Sequence, residues 1–363
     1  MSVPSRSNMR RLALSAGVLL VSLVLAEGAF RAKLALEDHP SGDDGGWRAR
    51  YIHMNETIYR RSNDAALVYE PVRGASVEME YGPAGFNAAG MRDDREFRET
   101  ATDGVRRVAV VGDSLVWSEF LALEDTIPRQ IEASLGDGFE VMNFGVTGYD
   151  LTQEAAWYER AVRPLHPDVV VVVYCMNDMM IMSGPFERYA NPSDRARKDS
   201  QEARQAELAP LRRETLDGAL AERERQAASK VLSRAWGLFE RWRFDRDYTD
   251  EYLLAFAHAP SRERAERAID RLGAAIEDDG ARPLFVISPV LERWDDYRWR
   301  AIHAHVRDRA EAAGFTVVDP LDDWRETEDA ESMRVGGDNL HYDRSGARVM
   351  GRTIAAAVRE GAR

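Results

Sequence analysis

A chain of 363 residues with 44% hydrophobic content is long enough for one large α/β domain or two ordinary ones, with a sizeable packed core. Its 49 basic and 62 acidic side chains leave a formal charge of -13, and no compact Lys/Arg patch suits a phosphate backbone, which weighs against nucleic acid as a partner. The single cysteine, Cys175, rules out an intrachain disulfide and a Cys-based zinc site, and the seven scattered histidines include no His-Glu-x-x-His, so neither a catalytic metal nor a cofactor is expected.

The N-terminus carries Arg6, Arg10 and Arg11 before a largely apolar run from Leu12 to Ala26 that continues past Glu27 to Phe30. This reads as an export signal. Its length is close to the roughly 20 residues that cross a bilayer, and Val24-Leu25-Ala26 also resembles a cleavage site; an uncleaved anchor over residues 12–30, with an extracytoplasmic domain beyond it, is the preferred reading. Residues 1–33 are therefore assigned as signal anchor or signal peptide. Residues 34–103 are mixed and Gly-rich, with turn signals at Pro71, Gly82-Pro83 and Gly90 around short candidate strands such as Val77 to Tyr81, and are read as a stalk and N-terminal extension.

A strand and helix rhythm then begins. Arg107 to Val111, Glu140 to Phe144 and Asp168 to Tyr174 read as strands, with helices at Thr126 to Leu135 and Thr152 to Val162 between them. It resumes with helix Glu263 to Ile276, strand Pro283 to Ser288, helix Arg298 to Ala313, strand Thr316 to Val318 and helix Gly346 to Arg359. Continuous Val-rich runs are typical of strands buried on both faces, and alternation with helices implies a doubly wound, five-stranded parallel sheet over residues 104–363. The interval at about 185–258 is rich in Arg, Glu, Ala and Gln with Trp236, Phe239, Trp242 and Phe244, too long for a simple crossover. It reads as a helical insertion, either a lid or partner surface or, more plainly, a solvated helical arm.

Chemistry-bearing residues collect at the strand ends. The first strand runs into Gly112-Asp113-Ser114, placing a hydroxyl where open parallel sheets bind ligands; by itself the tripeptide is also an ordinary helix cap. The second ends in Asn143 to Tyr149, where Gly148 allows close backbone approach and an N–H for an oxyanion, or simply serves a turn. The third ends in Asn177-Asp178, with a non-titrating amide donor at the same sheet edge, or a cap. Cys175 is read as a buried filler. Near the C-terminus, Asp338 and His341 are three apart before the last helix, a spacing that lets the carboxylate hold one imidazole nitrogen while the other faces Ser114. His166, His258, His303 and His305 are assigned to the surface or to helices.

These four segments, in this order, resemble the SGNH hydrolases, also called GDSL-like esterases. Gly112-Asp113-Ser114 resembles the family's nucleophile block, Asn143 to Gly148 its glycine block, Asn177-Asp178 its asparagine block, and Asp338-x-x-His341 its acid and base block. Asn87 to Arg92 also resembles the lead-in of membrane-anchored bacterial members. The resemblance implies a Ser114, His341, Asp338 triad, an oxyanion hole from the Ser114 and Gly148 N–H groups and the Asn177 side chain, and an ester substrate with a small acyl or acetyl group, on a cell-envelope sugar given the export signal. Val116 and Trp117 replace small residues common in the nucleophile block, and Met176 stands where Gly is frequent, departures expected to reshape the acyl pocket. The same machinery serves an O-acyltransferase when a sugar hydroxyl replaces water. A membrane-anchored, non-catalytic polysaccharide-binding protein is the other class of reading, while a nucleotide-binding domain fails because Gly-Asp-Ser is not a phosphate-cradling loop.

Overall fold

The computed structural model describes residues 46–180 and 251–360, apart from Arg293 and Gly337. The apolar segment at 12–30 and nearly all of the insertion at 185–258 lie outside the described residues. Among those described, no helix is long and apolar enough to cross a membrane.

Four short strands come first: β1 (Tyr59–Arg61), β2 (Tyr69–Pro71), β3 (Ser76–Met79) and β4 (Gly82–Gly85), after helix α1 (Gly46–Ile58). They form two antiparallel hairpins, β1 with β2 and β3 with β4. The main sheet contains β5 (Arg106–Gly112), β6 (Phe139–Gly145), β7 (Val169–Tyr174), β8 (Arg282–Ile287) and β9 (Thr316–Val318), parallel throughout in the order β6-β5-β7-β8-β9. All five strands fall where the hydrophobic runs place them, with ends moved by a residue or two. Every residue of β7 is buried, as a run of five valines and a tyrosine requires when helices cover both faces.

The helices are α2 (Ser114–Trp117), α3 (Ile127–Leu135), α4 (Leu151–Trp157), α5 (Glu251–Ala257), α6 (Ala259–Asp278), α7 (Arg300–Ala312), α8 (Leu321–Thr327) and α9 (Arg344–Glu360). Right-handed crossovers put α3 and α9 on one face and α4, α6 and α7 on the other. The stripes match: α3 buries Ile127, Ile131 and Leu135, α9 buries Ala347, Met350, Ile354 and Val358, and α3 packs on α9 where Gly351 admits the Gln130 backbone. The helix expected over Thr152 to Val162 is α-helical only to Trp157 and widens to a π turn at Tyr158–Val162.

The chain leaves β5 toward β6 on one side and returns to β7 on the other, so the connections diverge between β5 and β7. Ligands of open parallel sheets bind outside the strand ends at such a switch point. Ser114 follows β5 and Asn177 follows β7.

The expected stalk is, over its described part, a packed layer. Met54, Ile58, Tyr59, Leu67, Tyr69, Phe86 and Met91 are buried in the same apolar core as the sheet. Strands of three or four residues are too short to show the alternation that marks a half-buried sheet in sequence, which is why this layer reads as irregular.

Candidate active site

The site begins with two close backbone approaches. A Cβ on Gly112 would meet the Val116 side chain at 2.5 Å, and one on Gly145 would meet the Trp117 backbone nitrogen at 2.1 Å, so α2 can press against the ends of β5 and β6 only where glycine stands. Asp113 then caps α2: its Oδ1 accepts the Leu115 N–H at 2.9 Å. This cap fixes the turn that presents Ser114.

The turn on the other side of the sheet edge brings the base. His341 Nε2 lies 2.8 Å from Ser114 Oγ, and Nδ1 lies 2.7 Å from Asp338 Oδ2. Asp338 Oδ1 also accepts the backbone N–H groups of Leu340 at 2.7 Å and His341 at 2.9 Å, so one carboxylate shapes the turn and orients the ring. The loop is tied to the end of β8: Leu291 N–H donates to Asn339 O at 2.7 Å, and the Tyr342 and Ser288 hydroxyls lie 2.8 Å apart. Ser114, Asp338 and His341, expected together from their places in the chain and from the resemblance, are thus brought into one hydrogen-bonded chain across 227 residues of sequence.

The electrostatics follow from these contacts. Burial opposes charge on His341, but the hydrogen bond to Asp338 and the charges of Asp338, Glu119 and Asp113 outweigh it and raise the imidazole to about 9. Burial likewise opposes ionisation of Asp338, yet its bonds to the His341 ring and to the two backbone N–H groups hold it down at about 2. Burial pushes the Cys175 thiol well up, which fits an inert filler and not a nucleophile.

The three expected oxyanion donors converge less completely. Gly148 adopts φ 73°, in the left-handed region that glycine favours, and among the described residues neither its N–H nor that of Ser114 has a hydrogen-bond partner. Asn177 does reach the site, but its Nδ2 donates to Asp113 Oδ2 at 3.0 Å and its Oδ1 has no partner. The carboxylate can only accept, so the amide nitrogen faces it, and the second N–H of the amide is the one left for a ligand.

Val116 and Trp117 are both buried. Trp117 is fully buried, with its ring 4.6 Å from that of Phe86 and the Arg92 guanidinium 4.5 Å over its face. Trp117 thereby joins the N-terminal layer to the sheet, while Val116 packs at the end of β5 beside Gly112. His303 lies in helix α7, as expected, and is buried, bridging Asp319 at 3.0 Å and the Tyr297 hydroxyl at 2.8 Å, whereas His258, just before α6, is buried and not on the surface.

Two residues beside the site carry no sequence signal. Glu119, only 3% exposed, lies with Oε2 at 3.7 Å from His341 Nε2. Arg92, buried in the N-terminal layer, donates to the backbone oxygens of Trp117, Ser118 at 2.7 Å and Leu121 at 2.5 Å. Among the described residues, no group of three or more His, Cys, Asp or Glu side chains is arranged to hold a metal ion.

A model of the GDSL-like lipase/acylhydrolase family matches residues 110–349, a span that holds the hydroxyl, the carboxamide, the carboxylate and the imidazole. The chain belongs to that family. As a GDSL-like member it is an ester-hydrolysing serine hydrolase. Solved structures similar to it include an α/β hydrolase from the metagenome of Lake Arreo, at 16% identity over 69% of this chain and 94% of that one, TM-score 0.41. An acetylxylan esterase from Geobacillus stearothermophilus is similar at 13% identity over 71% and 96%, TM-score 0.41. A carbohydrate acetylesterase from Sinorhizobium meliloti is similar at 12% identity over 70% and 99%, TM-score 0.36. No curated protein matches the chain.

Proposed function

We propose that this GDSL-like hydrolase cleaves small acyl esters, acetyl esters first among them, through an acyl-enzyme on Ser114. The observation that carries the reading is the unbroken run Asp338 to His341 to Ser114, at 2.7 and 2.8 Å. In the first step His341 Nε2 takes the Ser114 hydroxyl proton as Oγ bonds to the ester carbonyl carbon, and the carbonyl oxygen becomes an oxyanion. The Ser114 and Gly148 N–H groups and the free N–H of Asn177 are its donors. Collapse breaks the bond to the alcohol oxygen, which leaves with the proton from His341. Water, deprotonated by the same nitrogen, then attacks the acyl carbon; collapse breaks the bond from that carbon to Ser114 Oγ, His341 returns the proton to Oγ, and the carboxylic acid leaves.

The reading extends to place: residues 12–30 anchor the chain in a membrane, the catalytic domain lies on the extracytoplasmic side, and acylated cell-envelope sugars are the substrate class. Arg6, Arg10 and Arg11 ahead of the apolar run support it.

The test uses the full-length chain with a fluorophosphonate probe and an acetyl ester assay. Ser114→Ala is expected to lose labelling and to lower kcat by about 10⁴-fold or more. A folded variant that still turns over ester at the wild-type rate sinks the assignment. Adding sugar acceptors separates hydrolysis from acyl transfer by whether acetate or acetylated sugar accumulates.

A further inference from the structure

The loop that follows α2 is unusual in its path. Ser118 at φ 60° and Phe120 at φ 68° both occupy the left-handed region, which is strained for a residue with a side chain. Arg92 holds this path by donating to the backbone oxygens at 117, 118 and 121. Two side chains are turned onto His341 as a result. The Phe120 ring meets the imidazole edge-on at 5.5 Å, and the Glu119 carboxylate reaches to 3.7 Å from Nε2, the nitrogen that addresses Ser114. Glu119 also borders the crevice lined by Ser114, His341 and Tyr342.

Glu119 is not held there as a satisfied structural carboxylate. Among the described residues its buried Oε1 has no hydrogen-bond partner, an expensive arrangement for a group whose only role is to fill space. The Tyr51 hydroxyl of α1 hydrogen-bonds the carboxyl group, and Asp113 from the end of β5, Arg92, Tyr59 of β1 and Tyr81 from the β3-β4 turn also face it. Of the cationic groups, Arg92 gives all its hydrogen bonds to backbone oxygens, so the charge that arrives during turnover is that of His341.

We propose that Glu119 is a positioning residue for His341, a second carboxylate that faces Nε2 opposite Asp338 on Nδ1 and sets the pH at which the imidazole is free to take the Ser114 proton. The inference rests on the acyl-enzyme reading above. Its physical content is simple: an anion near Nε2 favours the protonated ring, both at rest and when the proton arrives from Ser114. Burial brings the Glu119 carboxyl up to about 7, against the opposing pull of His341 and Tyr51, so its charge is present on the alkaline side of neutrality, where the base must be unprotonated to act.

The measurement is kcat/KM against pH for the full-length wild type, Glu119→Gln and Tyr51→Phe, with Ser114→Ala as control. In Glu119→Gln the imidazole loses its second anion and is protonated less readily, so the acid limb moves to lower pH by about one unit. On the plateau kcat falls with KM unchanged. Tyr51→Phe removes the hydroxyl that favours ionised Glu119, and its limb moves the same way by less. A folded Glu119→Gln whose limb superimposes on the wild type overturns the proposal, because a structural role lowers activity evenly across pH. If that variant does not fold, the Tyr51→Phe limb decides, and an unmoved limb overturns it. An active Ser114→Ala defeats the acyl-enzyme reading itself, whereas an inactive one beside an unmoved limb defeats only the role of Glu119.

Discussion

Glu154 sits on α4 fully buried, and among the described residues neither carboxyl oxygen has a hydrogen-bond partner. Burial, with the charges of Asp113 and Asp150 nearby, pushes its pKa well above the usual carboxylate range, and Asp178 is raised in the same way by burial and by Glu154. Both therefore hold protons in the folded protein that the unfolded chain releases above about pH 4.5. The sign follows: with more protons bound in the native state, stability is full below the unfolded value and falls as pH rises toward the folded one. Replacing Glu154→Met removes the titrating group at similar volume. Urea midpoints at about pH 5 and about pH 8 are expected to differ less in the variant than in the wild type. An equal drop in both proteins would show that Glu154 does not carry the dependence. Asp338 has the opposite sign, contributing stability above the ordinary carboxylate range that is lost as pH falls toward about 2.

At the scale of elements, the position of Ser114 depends on α2 lying against β6 with no side chain between them. Gly145→Ala places a Cβ on the Trp117 backbone, which has no flexible end to give way. The substitution is expected to cost about 3 kcal/mol and to reduce serine labelling more than the fraction unfolded accounts for, because α2 must shift. Denaturant titration beside probe labelling checks both. The parallel sheet and the helices over it were legible in sequence because their signals are local: β7 is a single apolar run, and α3 and α9 carry clean stripes. The meeting of Ser114, Asp338 and His341 was legible for a related reason, since Asp338 and His341 are joined by one turn and Ser114 ends a strand. Asn177 was placed correctly at the sheet edge, but its bond to Asp113 depends on how two strand ends meet, which no residue pattern records. Glu119 was missed because a lone Glu between Ser118 and Phe120 announces neither the left-handed turns beside it nor the Arg92 hold on its backbone.

For the molecule as a whole, the N-terminal layer is structurally continuous with the candidate site. The Tyr69 hydroxyl donates to Thr147 O at 2.6 Å, the Thr147 N–H donates to the Tyr59 hydroxyl at 3.1 Å, and the Tyr149 hydroxyl donates to Tyr69 O at 2.7 Å. Gln153 adds a bond to Leu67 O at 2.7 Å. Deleting residues 46–97 is therefore expected to give insoluble or unfolded protein, and not a smaller working hydrolase; a soluble deletion product with wild-type esterase activity would contradict this. The tyrosine ties have a further consequence. Gly148 lies between Thr147 and Tyr149, so a ligand that engages its N–H and settles that loop also settles the hairpin to which the loop is bound. Coupling of this kind is reciprocal: whatever loosens or firms the outer layer is felt as a change in affinity at the serine, with no contact between the two.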